Sequence, residues 1–147
     1  MLVILTILSK QVEIFLPRSA IFDLSLFTLV VLQHAYGLPT GLVVTTISYL
    51  IGTLIKGKFT GHVAGETLVL PPIGFLITSL VISTFSFDIF TTGLIATGIY
   101  AGMMTIAFGI LYGFPILDIL IYLATIIPFN YFMFSTFGPQ ILRLLTG

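Results

Sequence analysis

Between Lys56 and Thr67 the chain reads Lys-Gly-Lys-Phe-Thr-Gly-His-Val-Ala-Gly-Glu-Thr. Lys56, Lys58, His62 and Glu66 put both signs of charge and an imidazole into twelve residues, with the hydroxyls of Thr60 and Thr67. Such a set can hold a small polar solute through charge-assisted hydrogen bonds. Glycines at 57, 61 and 65 make the stretch a flexible connection, so it reads either as a binding loop or as an ordinary solvated loop. His62 and Glu66 stand four apart, but the interleaved glycines disfavour the helix that would make them a metal or acid–base pair. Motifs of the types HExxH, GxSxG, the P-loop, DxxxD and DGxxAR are missing, so the chain is expected to be no enzyme.

The other ionisable residues are few. The chain has five Lys/Arg, five Asp/Glu and two His, and its formal net charge is zero. Nothing in that balance suggests a nucleic acid partner. Charged residues make up 7% of the sequence, against about 25% in a soluble domain. Hydrophobic residues are 58% and the mean hydropathy is +1.23. A soluble fold of 147 residues could not cover that much apolar surface. The expectation is a multi-pass integral protein of the cell membrane, one transmembrane domain over residues 1–147, with the lipid bilayer as its solvent. No cysteine is present, which excludes disulfides and thiolate metal sites. Two distant histidines point to no metal, and no cofactor is implied.

These polar groups must be carried by helices, because lipid cannot satisfy free backbone groups and the period-two alternation of a β-barrel is missing. The class expected is all-α: an integral membrane bundle of about six transmembrane helices. Its segments are residues 1–16, stopped by Pro17; 20–36, ended by Gly37-Leu38-Pro39; 40–55; 68–87, opening on Pro71-Pro72; 89–112; and 115–145. The last is expected to be kinked or broken near Pro128 and at Gly138-Pro139. The first eight residues lack a basic run and read as a retained first helix rather than a signal peptide. If that segment lies in the interface, the count falls to five.

Six alternating spans bring Glu13, Arg18, Asp23, Lys56, Lys58, His62, Glu66 and Asp118 to one side. His34, Asp88 and Arg143 go to the other, and Lys10 falls about halfway along the first helix. Counting Lys and Arg near the ends would make the busy side cytoplasmic. Lys10 and Glu13 share a helix face and can pair, or Lys10 snorkels to the headgroups. Arg18 and Asp23 can pair at the mouth of the second helix. Asp118 stands in a first turn, where it complements the helix dipole or meets a ligand. Asp88 does the former. Asn130 either bonds backbone freed by Pro128 or reads a ligand. Gly98, Gly102, Thr105, Gly109 and Gly113 form a stripe expected to be a helix-packing face inside the bundle, with a contact to another subunit as the alternative. A second stripe is Gly37, Gly41, Thr45, Ser48 and Gly52.

Residues 21–55 read IFDLSLFTLVVLQHAYGLPTGLVVTTISYLIGTLI. The I-x-D-L-S-L entry, the Gly-Pro turn with Gly37, Pro39 and Gly41, and Ser48 with Gly52 resemble the substrate-binding S components of energy-coupling factor (ECF) vitamin transporters. Ile126-Ile-Pro-Phe-Asn130 is similar to the last helix of that family. The MreD-like rod-shape proteins, with a related six-helix fold, are similar in the same places. The resemblance implies a small-molecule binding subunit of a transporter, with its pocket at the outer face under loops 1–2, 3–4 and 5–6. Lys58, His62, Glu66, Asp23, Asp118 and Asn130 would bind a vitamin-like solute. A coupling subunit and ATPases would be the partner subunits. The alternative is a structural subunit of a larger membrane assembly.

Overall fold

The computed structural model describes residues 1–12, 23–57 and 68–147. Among these the chain is helical, without strands. The helices are α1 (Leu2–Val12), α2 (Ser25–Tyr36), α3 (Leu38–Lys56), α4 (Leu70–Ser83), α5 (Ile89–Ile106), α6 (Ile116–Phe132) and α7 (Gly138–Thr146). A wide π-helical turn, Ala107–Leu111, extends α5, and another, Met133–Phe137, joins α6 to α7. Three stretches are long and apolar enough to cross a membrane: Leu38–Lys56, Ile89–Leu111 and Ile116–Thr146. Helices α1, α2 and α4 are apolar but shorter.

Helix α2 is the axis of the bundle. From Ser25 to Leu32 every residue is buried, so this stretch of the helix has no outward face. It packs on α1, α3, α4, α5 and α7. The interior around it is marked by small and hydroxyl-bearing residues rather than by extra oiliness. Thr6, Thr28, Thr45, Ser48, Thr78 and Ser79 are buried, whereas Ile47, Ile51, Leu80 and Ile110 face outward. This is the arrangement expected where lipid outside is as apolar as the core, and close packing and interhelical hydrogen bonds must hold helices together. The Thr6 and Thr28 hydroxyls meet at 2.7 Å between α1 and α2. Gln33 clamps α2 to α4, accepting from Ser79 Oγ at 2.6 Å and donating to the Ser79 carbonyl at 3.1 Å.

The connections follow local chemistry. Gly37 alone separates α2 from α3, at φ +87°, a value that favours glycine. Pro39 then sits in the first turn of α3, where its missing N–H costs nothing. Helix α4 ends at Ser83 rather than at the expected 87, because Ser83 and Thr84 turn their hydroxyls onto the Leu80 and Val81 carbonyls. Asp88 caps α5 through the Phe90 and Thr91 N–H groups. Those bonds, led by one from the Thr91 side chain, hold its carboxyl below the usual carboxylate range. At Pro128 the helix runs on unbroken. The wide turn lies later, at Met133–Phe137, where it accommodates Pro139, whose ring would clash with a regular turn.

The two glycine stripes have opposite fates. On α3, Gly41 lies against the Gln33 backbone, and Gly52 lies against Ile7 and the Lys10 stem. The longer stripe does not pack inside the bundle as expected. A Cβ added at Gly98 or Gly102 would meet nothing within 4 Å, and Gly109 touches only Ile119 at ordinary contact distance. Gly113, at φ +61°, forms the turn after α5. The glycines of this region that do admit a neighbour are Gly74, under Tyr100, and Gly93, under Phe134.

Candidate functional site

The ends of α1 and α3 and the start of α2 meet at one end of the bundle. Lys10 stands on α1, two residues before the last one described there, and is 5% exposed. Its ammonium lies 2.7 Å from Asp23 Oδ2. It also sits 4.4 Å above the centre of the Tyr49 ring. Lys10 therefore does not snorkel outward, and among the described residues it pairs with Asp23. Glu13 and Arg18, the partners expected for Lys10 and Asp23, fall outside the described residues.

Asp23 is positioned by the start of α2. Its Oδ1 accepts from the Ser25 N–H at 2.8 Å and from the Ser25 hydroxyl at 2.6 Å. A carboxylate there answers one of the orphan donors of a helix N-terminus. The Ser9 hydroxyl ties the same end together, donating to the Thr6 carbonyl and accepting from the Leu24 N–H. Gln11 donates across to the Gly52 carbonyl at 3.0 Å. Gly52 leaves the space in which the Lys10 stem lies on α3.

Aromatic packing holds the rings of the site. Tyr49 meets Phe75 edge-on, at 5.4 Å, and Phe75 stacks on Tyr100 at 5.3 Å. Tyr122, on α6, packs edge-on against Phe108 and is 2% exposed. It lies within electrostatic range of Asp23, Lys10 and Tyr49. Its hydroxyl has no hydrogen-bond partner among the described residues. A buried hydroxyl without a partner costs about 1–3 kcal/mol, so it calls for an explanation.

The residues expected to bind a solute are partly gathered here. Asp23 is in the cluster. Asp118 is half-buried in the first turn of α6, one turn before Tyr122 and on the same face, with no hydrogen bond to its carboxylate among the described residues. Asn130 is on that face too, but eight residues beyond Tyr122, about 12 Å along the axis. It is fully buried and donates to the Ile126 carbonyl, whereas the carbonyl freed by Pro128 is that of residue 124. It is thus not part of the same cluster. Lys58, His62 and Glu66 lie outside the described residues. Tyr49, Tyr122 and Ser25 were not singled out from sequence. Lys10 was legible as an ionisable residue within an apolar run, but a tyrosine in an oily helix carries no comparable signal.

A hollow of about 250 Å³ opens at the other end, between Gln33, His34, Leu38, Ser83, Phe85 and Thr92. Its polar groups already bond one another or their own helices. Gln33 is taken by Ser79, Ser83 by the Leu80 carbonyl, and His34 and Thr92 both reach the Phe87 carbonyl. The polar end is therefore the better candidate. Among the described residues no group of three His, Asp or Glu could hold a metal ion. No family model, no curated protein and no solved structure matches this chain.

Proposed function

We propose that this chain is a membrane-embedded, solute-binding subunit of a transporter, taking a small vitamin-like solute at its polar end. The observation that carries this reading is the buried Lys10–Asp23 pair, together with a buried Tyr122 hydroxyl that has no partner among the described residues. An ion pair withdrawn from water gains little stability over well-packed apolar residues. Inside a membrane protein, ionisable groups are costly and mark function by default. A site for a polar solute accounts for all three groups together. In this reading the bundle crosses the membrane six times. Asp118 would contact the solute, as would Lys58, His62 and Glu66. The likeness of residues 21–55 to S components of ECF transporters points the same way. A coupling subunit and ATPases would then supply the energy, and this chain would bind without performing chemistry.

The second reading is a structural subunit of a larger membrane assembly, MreD-like or otherwise. The open Gly98–Gly102 face favours it, since a partner helix could approach closely there.

Thermal unfolding of the purified chain against a panel of water-soluble vitamins and metal ions separates the two. A ligand at a hundred times its Kd adds about 2.7 kcal/mol of stability. The transporter reading requires a saturable rise for at least one solute. No rise with any solute, together with copurification of a membrane complex that contains no ATPase, would favour the structural reading instead.

A further inference from the structure

Asp23 precedes the start of α2, and the hollow that His34 lines lies at the opposite end of that helix. Three helices each bring to this hollow a side chain that has already spent its hydrogen on the protein. Thr92 Oγ1, on α5, donates to the Phe87 carbonyl at 3.4 Å. Ser83 Oγ, at the end of α4, donates to the Leu80 carbonyl at 2.7 Å. His34, in the last turn of α2, holds Nε2 3.1 Å from the same Phe87 carbonyl. A carbonyl only accepts, so that nitrogen carries a hydrogen, and Nδ1 of the neutral ring is a bare acceptor. What these three groups have left for a ligand is lone pairs. Gln33 keeps one amide hydrogen, because its oxygen and its other hydrogen are taken by Ser79.

Acceptors on three helices suit a group with several donors and no acceptor. A primary ammonium is such a group, with three N–H donors and a positive charge. Two further features favour that charge. The last turns of α2 and α4 border the hollow, and helix C-termini carry partial negative charge. The Phe85 ring, stacked on Phe87 at 5.5 Å, lines the hollow too, and aromatic faces attract cations. The starts of α3 and α5 oppose this field, but Pro39 brings no N–H to the first and the Asp88 carboxylate answers the second. An anion would face the same three acceptors. The volume of about 250 Å³ is below the roughly 300–1,000 Å³ of pockets for drug-sized ligands, and suits a headgroup or a short amine.

We propose that this hollow binds a primary ammonium group through His34, Ser83 and Thr92. The inference is independent of the solute pocket proposed at the polar end. Two sources share this chemistry: the ethanolamine headgroup of a phospholipid and a free short amine. In the six-crossing arrangement the hollow stands at one surface of the bilayer, within reach of both.

Thermal unfolding of the full chain in phosphatidylcholine nanodiscs tests this, with ethanolammonium, choline and glycolate as probes. Choline keeps the positive charge and has no N–H, and glycolate reverses the charge at similar size. The expected result is a saturable rise in Tm with ethanolammonium alone. Thr92→Val keeps the shape of a side chain that is 3% exposed and removes one acceptor. It should move the midpoint of the rise about tenfold higher in concentration. Ser83→Ala, at an exposed position, should do the same and decides alone if Thr92→Val does not fold. Replacing part of the lipid by phosphatidylethanolamine then separates the sources. A higher Tm that Ser83→Ala abolishes, with no further response to ethanolammonium, identifies the headgroup. An unchanged Tm, with the response to ethanolammonium intact, identifies the free amine. Equal rises with choline and ethanolammonium, a rise that the variants leave untouched, or no rise from either source would overturn the inference.

Discussion

Lys10 and Asp23 show how a residue's meaning changes once its neighbours are known. Each was visible in the sequence as a charge in an apolar run. Their pairing was not, because Glu13 and Arg18 stand nearer along the chain and local spacing is all that a helix rule can weigh. The link is made instead by the packing of α1 on α3 and of α2 beside it, which no spacing encodes. The pair has a direct energetic consequence. Replacing Lys10 by Met leaves Asp23 charged and buried without its ammonium, and should lower stability by about 3–5 kcal/mol. Adding Asp23→Asn removes the stranded charge and should recover most of the loss. Chemical denaturation of the two variants measures both values. Equal stability for the wild type and Lys10→Met would mean that the ammonium is not buried in the folded protein.

Among the elements, the existence and order of the helices were legible, and the direction of their faces was not. Runs of apolar residues and the Gly-Pro turn at 37–39 place α2, α3 and α5 within a few residues of their observed limits. Hydrophobicity could not tell inside from outside, because lipid and core ask for the same side chains. The glycine stripe of α5 misled for that reason: small residues permit close packing but do not require it. The contrast can be tested on a single helix. Gly93→Ala drives a methyl into the buried Phe134 ring, which itself packs on Phe27 at 5.2 Å. It should destabilise the protein by about 1–3 kcal/mol. Gly98→Ala meets open space and should change stability by less than about 0.5 kcal/mol, or raise it slightly. The reverse ranking in denaturation experiments would mean that the stripe, not Gly93, faces the interior.

For the whole molecule the question is how the proposed bundle would span a bilayer. Helix α2 has 12 residues, about 18 Å, against a hydrocarbon thickness of about 30 Å. Shielded over Ser25–Leu32 by other helices, it need not match that thickness itself. The six-crossing arrangement proposed here makes a definite statement about sides. Lys56 and Ile116 should lie on one side of the membrane, and Ser83 and Leu144 on the other. The chain has no cysteine, so single cysteines at these positions give no background. An impermeant maleimide applied to oriented vesicles should label the first two together and exclude the second two. Labelling of Lys56→Cys and Ser83→Cys from the same side would contradict the six-crossing arrangement.

The central claim is that the polar end around Asp23 and Tyr122 holds a solute, and Tyr122→Phe probes it most directly. The substitution removes only a hydroxyl that has no partner among the described residues, so stability should be unchanged or slightly higher. Equilibrium binding of the best solute from the panel should nevertheless weaken by about tenfold, the worth of roughly one hydrogen bond. A variant that keeps its stability and binds that solute with undiminished affinity would show that the site lies elsewhere.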